Sequence, residues 1–282
     1  MKVLPFEIPK PNNDALIYQE DHEFIFYDKL HQHNEIQISF LKKGNGTFFI
    51  GDSVTNYATG EIFIIGSNVP HAFKSEKKIT EKSKMLSLFF TKDSFGTYFF
   101  DFKEFESLQS FFEKSKYGFK VLSNKTEIID LFLKLKKASK IDRFLLLIQL
   151  LKLIATAEKQ TLSNFVYRKK FTDNEGKKMR AVFDFTTNNA HQQIELNDVA
   201  NIANMTKNAF CKYFKKRTNK TYFSFLTELR IENSCRLLRS QKEYSVAEVA
   251  HLSGFQNISN FNRKFKELKK ETPTTYRKKV FS

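Results

Sequence analysis

The stretch SVAEVAHLSGFQNISNFNRKFK, residues 245–266, decides how the last third of this chain folds. Ser245 precedes an apolar stripe, Val246, Val249, Ala250 and Leu252, and so stands where a helix N-cap is expected. Gly254 offers the positive φ of a tight turn. A second helix follows, with Ile258, Phe261 and Phe265 expected on a buried face and Ser259, Asn262, Arg263 and Lys266 on the outward one. Two short helices across a turn, the second anchored by phenylalanines, are the grammar of a helix-turn-helix unit.

The unit occurs twice. Fifty residues earlier, LNDVANIANM (196–205) carries Val199 and Ala200 where VAEVAHLSGF (246–255) carries Val249 and Ala250. After one inserted residue, Phe210, Phe214 and Lys215 recur as Phe261, Phe265 and Lys266. Thr221 and Phe225 recur as Thr272 and Tyr276. Repetition with a single register shift marks a duplicated structural unit. In the first copy Asn204 takes the turn position and Thr206 the N-cap, leaving Lys207, Asn208, Cys211, Lys212 and Lys215 facing outward. Arg suits bidentate contact with guanine, Asn with adenine, and Lys with phosphate or guanine. Residues 221–240, between the copies, read as one long helix of about 30 Å, close to one turn of duplex DNA.

Charge agrees with that partner. Residues 175–282 hold 21 Lys and Arg against 10 Asp and Glu, whereas residues 1–174 hold 26 against 21. A basic surplus concentrated in one segment points to a polyanion.

At these residues the chain resembles the AraC/XylS family of transcription regulators. The resemblance is carried by LNDVANIANMT with FCKYFKK, by Leu229-Arg230 and Leu237-Leu238 in the connecting helix, by SVAEVAHLSGF and FNRKFK, and by the closing TPTTYR (272–277). It covers about the last hundred residues. It implies base contacts at Asn208, Cys211 and Lys212 in the first probe and at Ser259, Asn262 and Arg263 in the second. The family usually has Gly where Asn219 and Lys270 stand here, and a polar reader where Cys211 stands. Asn tolerates positive φ better than Lys does, so strain is expected at Lys270.

Residues 23–90 read as short strands: FIFYD, HNEIQISF, KKGNGTFFIGD, ATGEIFIIGSNVPHAF and KMLSLFF. The segment resembles the cupin barrel found as the sensor ahead of AraC-type DNA-binding domains, through His31-x-His33, Gln37, Gly44, Gly60 and Pro70-His71. The alternation of His31, His33, Glu35 and Gln37 is expected to point all four to one side of a strand. Together with His71 they form the expected effector-binding set. Metal-binding cupins are similar but carry Glu at the Gln37 position. A ligand set of His31, His33, His71 and Glu35, a polar effector pocket and a structural histidine cluster all stay open, with no metal or other cofactor as the expectation. Residues 102–158 read as helices that either cover the barrel or form a dimer interface.

The fold expected is α+β. A cupin-like sensor occupies residues 1–95, a helical extension with possible dimerisation 96–162, a linker 163–176, and the double helix-turn-helix domain 177–282. The N-terminus lacks a signal-length apolar run, and the greasiest stretch, 144–154, is interrupted by Gln149 and Lys152 and too short to span a bilayer. Two cysteines make no disulfide framework. The expected protein is a cytoplasmic, non-enzymatic regulator that binds double-stranded promoter DNA and a small-molecule effector. RNA polymerase and a homodimer are the further partners implied, and no membrane is. The rivals are a metal-dependent cupin enzyme, which does not account for the repeat, and an effector-independent DNA-binding dimer.

Overall fold

The strand pattern between residues 23 and 90 forms with its boundaries moved by packing. The structure is a computed structural model and describes residues 4–9, 14–76, 81–167, 170–240 and 243–281. The chain divides into two compact units, Met1–Ser53 with Tyr57–Gly176 and Lys177–Ser282 with the short piece Val54–Asn56.

The first unit contains β1 (Ile17–Glu23), β2 (Ile36–Lys43), β3 (Gly46–Ile50), β4 (Ser53–Tyr57), β5 (Ile62–Ile65), β6 (His71–Ser75) and β7 (Ser83–Phe90). There follow α1 (Gln109–Ser115), β8 (Phe119–Val121), α2 (Lys125–Leu135), α3 (Lys140–Thr156) and β9 (Lys159–Thr161). One sheet runs β1-β7-β2-β5-β8-β9 and the other β4-β3-β6. FIFYD, expected as a strand, is not one. Phe24 and Ile25 are exposed, and Phe26 is buried with its N–H donating to Ser75 Oγ at 3.2 Å. The edge strand lies earlier, at β1, whose IYQEDHE carries no apolar alternation and is held by pairing with β7 from Ile17↔Phe89 to Glu23↔Ser83. The short strand β8 likewise interrupts residues 102–158, expected to be helical, and β9 follows directly after them.

β2 is buried from Ile36 to Leu41 because both its faces are covered. Ile36, Ile38 and Phe40 join Phe111, Ile128, Phe132 and Leu150 in one core, so α1 to α3 cover that face of the large sheet. Gln37 and Ser39 turn the other way, level with Phe89 and Ser87 of β7. The helices leave Leu133, Ile141 and Leu145 exposed. Within residues 163–176, Ser163 Oγ donates to Asp52 Oδ1 at 2.7 Å, and Tyr167 and Phe171 are buried.

The second unit is helical: α4 (Asp173–Asn189), which starts inside the stretch expected as linker, then α5 (Leu196–Ile202), α6 (Lys207–Thr218), α7 (Tyr222–Ser240), α8 (Val246–Leu252), α9 (Ile258–Lys269) and α10 (Pro273–Phe281). Ser245 and Glu248 form a capping box on α8, and Thr206 Oγ1 accepts from Ala209 N–H at 3.3 Å on α6. Arg230 of α7 explains the Leu-Arg pair in the connecting helix. Its Nε donates to Ala190 O at 2.8 Å and Nη2 to Gln192 O at 2.6 Å, satisfying carbonyls just beyond the end of α4. Gly254, at φ 92°, sits against the same place, where a Cβ would lie 2.3 Å from Ala190 O. Only glycine fits there.

Candidate functional site

Each probe helix is held by phenylalanine. In α6, Phe210 and Phe214 are buried and pack edge-on against Tyr222 with centroids 5.6 and 5.5 Å away. That leaves Lys207, Asn208, Cys211, Lys212 and Lys215 all exposed. In α9, Phe261 and Phe265 are fully buried, against Phe255 at 5.2 Å and Tyr276 at 5.6 Å. Ser259, Asn262, Arg263 and Lys266 are all exposed. Asn257 Oδ1 caps α9 by accepting from the N–H groups of Ser259 and Asn260, at 2.8 and 3.2 Å. Arg263 is partly ordered along the helix: its Nη2 donates to Asn260 Oδ1 at 2.9 Å, and Nη1 lies 3.6 Å from Glu267 Oε2.

Two residues expected in the second apolar stripe are exposed instead, Leu252 at 47% and Ile258 at 41%. The stripe of α8 continues from Val246, Val249 and Ala250 to Ser253, at i+7 rather than i+6, and Ser253 is the buried residue. At the start of α9, Phe255 supplies the apolar contact with Phe261 that Ile258 was expected to make. Both turns use left-handed residues, Asn219 at φ 57° and Lys270 at φ 62°.

The first unit encloses a cavity of about 280 Å³ lined by His31, His33, Gln37 and His71. His31 and His71 face each other across an antiparallel bridge, and His33 Nε2 lies 3.0 Å from Gln37 Oε1. Glu35 stands apart from this group. β2 begins only at Ile36, with a bend at Asn34 and Glu35, so the expected alternation is broken. Glu35 Oε2 lies 3.7 Å from His33 Nδ1, the opposite ring nitrogen from the one at Gln37. Much of the wall comes from residues outside the expected effector-binding set. Asp21 and Gln19 reach the cavity from β1, and Gln19 Nε2 donates to Asp21 Oδ1 at 2.8 Å. Leu4 and Ile8 line it from the N-terminal arm. The arm is pinned by Gln32, whose N–H donates to Phe6 O and whose carbonyl accepts from Ile8 N–H, both at 2.8 Å. The apolar alternation Leu4, Phe6, Ile8 is the signal that could have revealed this arm.

A family model described as an AraC-like ligand binding domain matches residues 15–88, and one described as a helix-turn-helix domain matches residues 199–279. The first contains the histidine cavity and the second both probes. The chain belongs to the AraC/XylS family of transcription regulators.

Among relatives of this AraC-type chain, the HTH-type transcriptional activator RhaR of Mannheimia succiniciproducens is 27% identical over 257 residues, which are 88% of this chain and 86% of that protein. The uncharacterized HTH-type transcriptional regulator YdeC of Bacillus subtilis is 34% identical over 87 residues, but these are only 31% of this chain and 30% of that one. A solved DNA-binding domain of AdpA, in complex with a target DNA, is similar over 34% of this chain and 86% of its own at 27% identity, with a TM-score of 0.33. Among the described residues of the AraC-type chain, no helix is long and apolar enough to cross a membrane.

Proposed function

We propose that this chain regulates transcription by reading promoter DNA with α6 and α9 while the histidine cavity senses a small molecule. The observation that carries the reading is the pair of phenylalanine-anchored helices whose exposed faces hold the amide and basic groups. The 19 residues of α7 span about 28 Å, near the repeat of B-DNA, so the probes enter successive major grooves on one side of the duplex. Lys207, Asn208, Cys211 and Lys212 in the first probe, and Ser259, Asn262 and Arg263 in the second, face base edges. Lys215 and Lys266 approach phosphate. The second probe is the better equipped reader, because Arg263 and Asn262 match guanine and adenine bidentately.

His31, His33, Gln37 and His71 hold the effector in this reading, with Glu35 supporting His33 from behind. The protein works in the cytoplasm, without catalysis, with RNA polymerase as the partner that its occupancy influences and pairing of two copies through the helices of residues 96–162. Mapping bound DNA across the genome tests the reading. Promoter-proximal peaks that vanish in the Asn262→Ala/Arg263→Ala variant support it, and peaks unchanged in that variant overturn the assignment. Thermal-shift screening against small metabolites tests the sensor half. A shift lost in His33→Gln/His71→Gln is the expected outcome, since glutamine keeps a polar, hydrogen-bonding side chain there.

A further inference from the structure

All three cavity histidines are oriented in the same way. His31 Nδ1 lies 2.8 Å from Lys29 O, His33 Nδ1 2.9 Å from Glu35 O, and His71 Nδ1 2.9 Å from Val69 O. A carbonyl only accepts, so each Nδ1 carries the hydrogen, and in a neutral ring Nε2 is then the nitrogen with the lone pair. One ligand atom from each of the three lies within 4.8 Å of the others, and each residue is at least nine-tenths buried.

An anion would need these rings as donors, and a cation needs them as acceptors. The carbonyls already take the Nδ1 hydrogens, so Nε2 could donate only from charged rings. With centroids 4.3 Å apart for His31 and His71 and 4.9 Å for His33 and His71, three imidazolium ions would repel strongly. Asp21, on the same cavity wall, adds a carboxylate that repels anions and attracts cations. Imidazole nitrogens suit divalent first-row transition metals, and a carbonyl on the remote ring nitrogen is the usual support for a ligating histidine. We propose that His31, His33 and His71 bind one divalent transition-metal ion through Nε2, and that Gln37 makes the binding reversible.

Gln37 acts through His33. Its amide lies 3.0 Å from His33 Nε2 and 2.7 Å from Ser39 Oγ, which in turn is 2.8 Å from Ser87 Oγ. Nε2 of a neutral His33 is an acceptor, so the amide is assigned with NH2 toward His33 and the oxygen toward the Ser39 hydroxyl, the reverse of Oε1 at His33 and Nε2 at Ser39. The amide therefore caps the His33 lone pair when metal is absent and must be displaced when it enters. A carboxylate at this position would instead add a charged ligand. The site as built follows metal concentration rather than holding an ion permanently, which makes the ion an effector or a bridge to one. The proposal rests on reading this cavity as the ligand site.

The test uses full-length protein stripped with chelator and titrated separately with Zn²⁺, Co²⁺, Mn²⁺ and Ni²⁺. Elemental analysis gives the stoichiometry, and the visible absorption of Co²⁺ reports nitrogen ligation without any substitution. One ion per chain is expected, retained in His191→Gln/His251→Gln and lost in His33→Gln/His71→Gln with the circular dichroism unchanged. Gln37→Glu binds roughly tenfold tighter. No stoichiometric ion with any of the four metals, retention in a folded His33→Gln/His71→Gln variant, or no gain in Gln37→Glu each overturns the proposal. A metabolite shift in protein that takes up none of the four metals leaves the sensor reading standing while this proposal falls. A bound ion that leaves promoter output unchanged supports the site and removes the ion's role as an effector.

Discussion

Replacing Lys270 by glycine, with Lys270→Ala as its partner variant, isolates the strain in the turn after the second probe. Lys270 has φ 62° and ψ 11°, and its N–H donates to Lys266 O at 2.9 Å, closing α9. That hydrogen bond survives either substitution, and both variants remove the same exposed side chain. The difference between them is therefore the backbone alone. An L residue in the left-handed region costs about 1–2 kcal/mol, and glycine gives back about 0.5–1 kcal/mol through its larger loss of chain entropy. Lys270→Gly should be about 0.5–1 kcal/mol more stable than Lys270→Ala. For a unit of this size that is about 2–8 °C in the melting of the helical unit, read by calorimetry on the full chain. Asn219, at φ 57°, is of a residue type that tolerates this region, so Asn219→Gly gains only a few tenths of a kcal/mol. A glycine variant no more stable than the alanine variant refutes the strain argument.

Three further outcomes follow from the same packing. Alkylation at pH 8 should modify Cys211, which is exposed on α6, and spare Cys235, whose thiol burial pushes up to about 12; bound specific DNA should protect Cys211, and equal labelling with and without DNA counts against its place in the interface. Arg263→Ala should cost roughly 1–3 kcal/mol and relax preference at one base pair, whereas Lys215→Ala should weaken all sequences alike; a randomised site library in which both lose affinity uniformly contradicts the division. Gly254→Ala, with its Cβ 2.3 Å from Ala190 O and φ 92°, should destabilise the helical unit by about 2 kcal/mol or more in guanidinium titration, and a cost near zero means the Arg230 cluster yields easily.

How much of this was legible in the sequence depends on the element. The duplicated unit was readable because burial there repeats with helical spacing: Phe210 and Phe214, then Phe261 and Phe265, are buried at matching positions of the two copies. Leu252 and Ile258 misled because apolar identity does not fix a side chain's face when a neighbour one position away, Ser253, or three positions away, Phe255, fills the interior. β1 was invisible for a different reason. It is an edge strand of polar residues, held by ladder bonds to β7 rather than by its own hydrophobicity. The cavity was half legible: the spacing of His31, His33 and Gln37 survived, but the bend before Ile36 removed Glu35, and Asp21, Leu4 and Ile8 arrive through long-range pairing that no local pattern encodes.

The central claim is that α6 and α9 together read one duplex. It is tested most directly by titrating salt while measuring the affinity of the full chain for a duplex chosen by selection and for a scrambled duplex of equal length. The account predicts log affinity falling steeply with log salt, by about 0.9 per phosphate neutralised, with the selected site at least about a thousandfold tighter than the scrambled one. Equal affinity for the two duplexes, or a slope near zero, would contradict it.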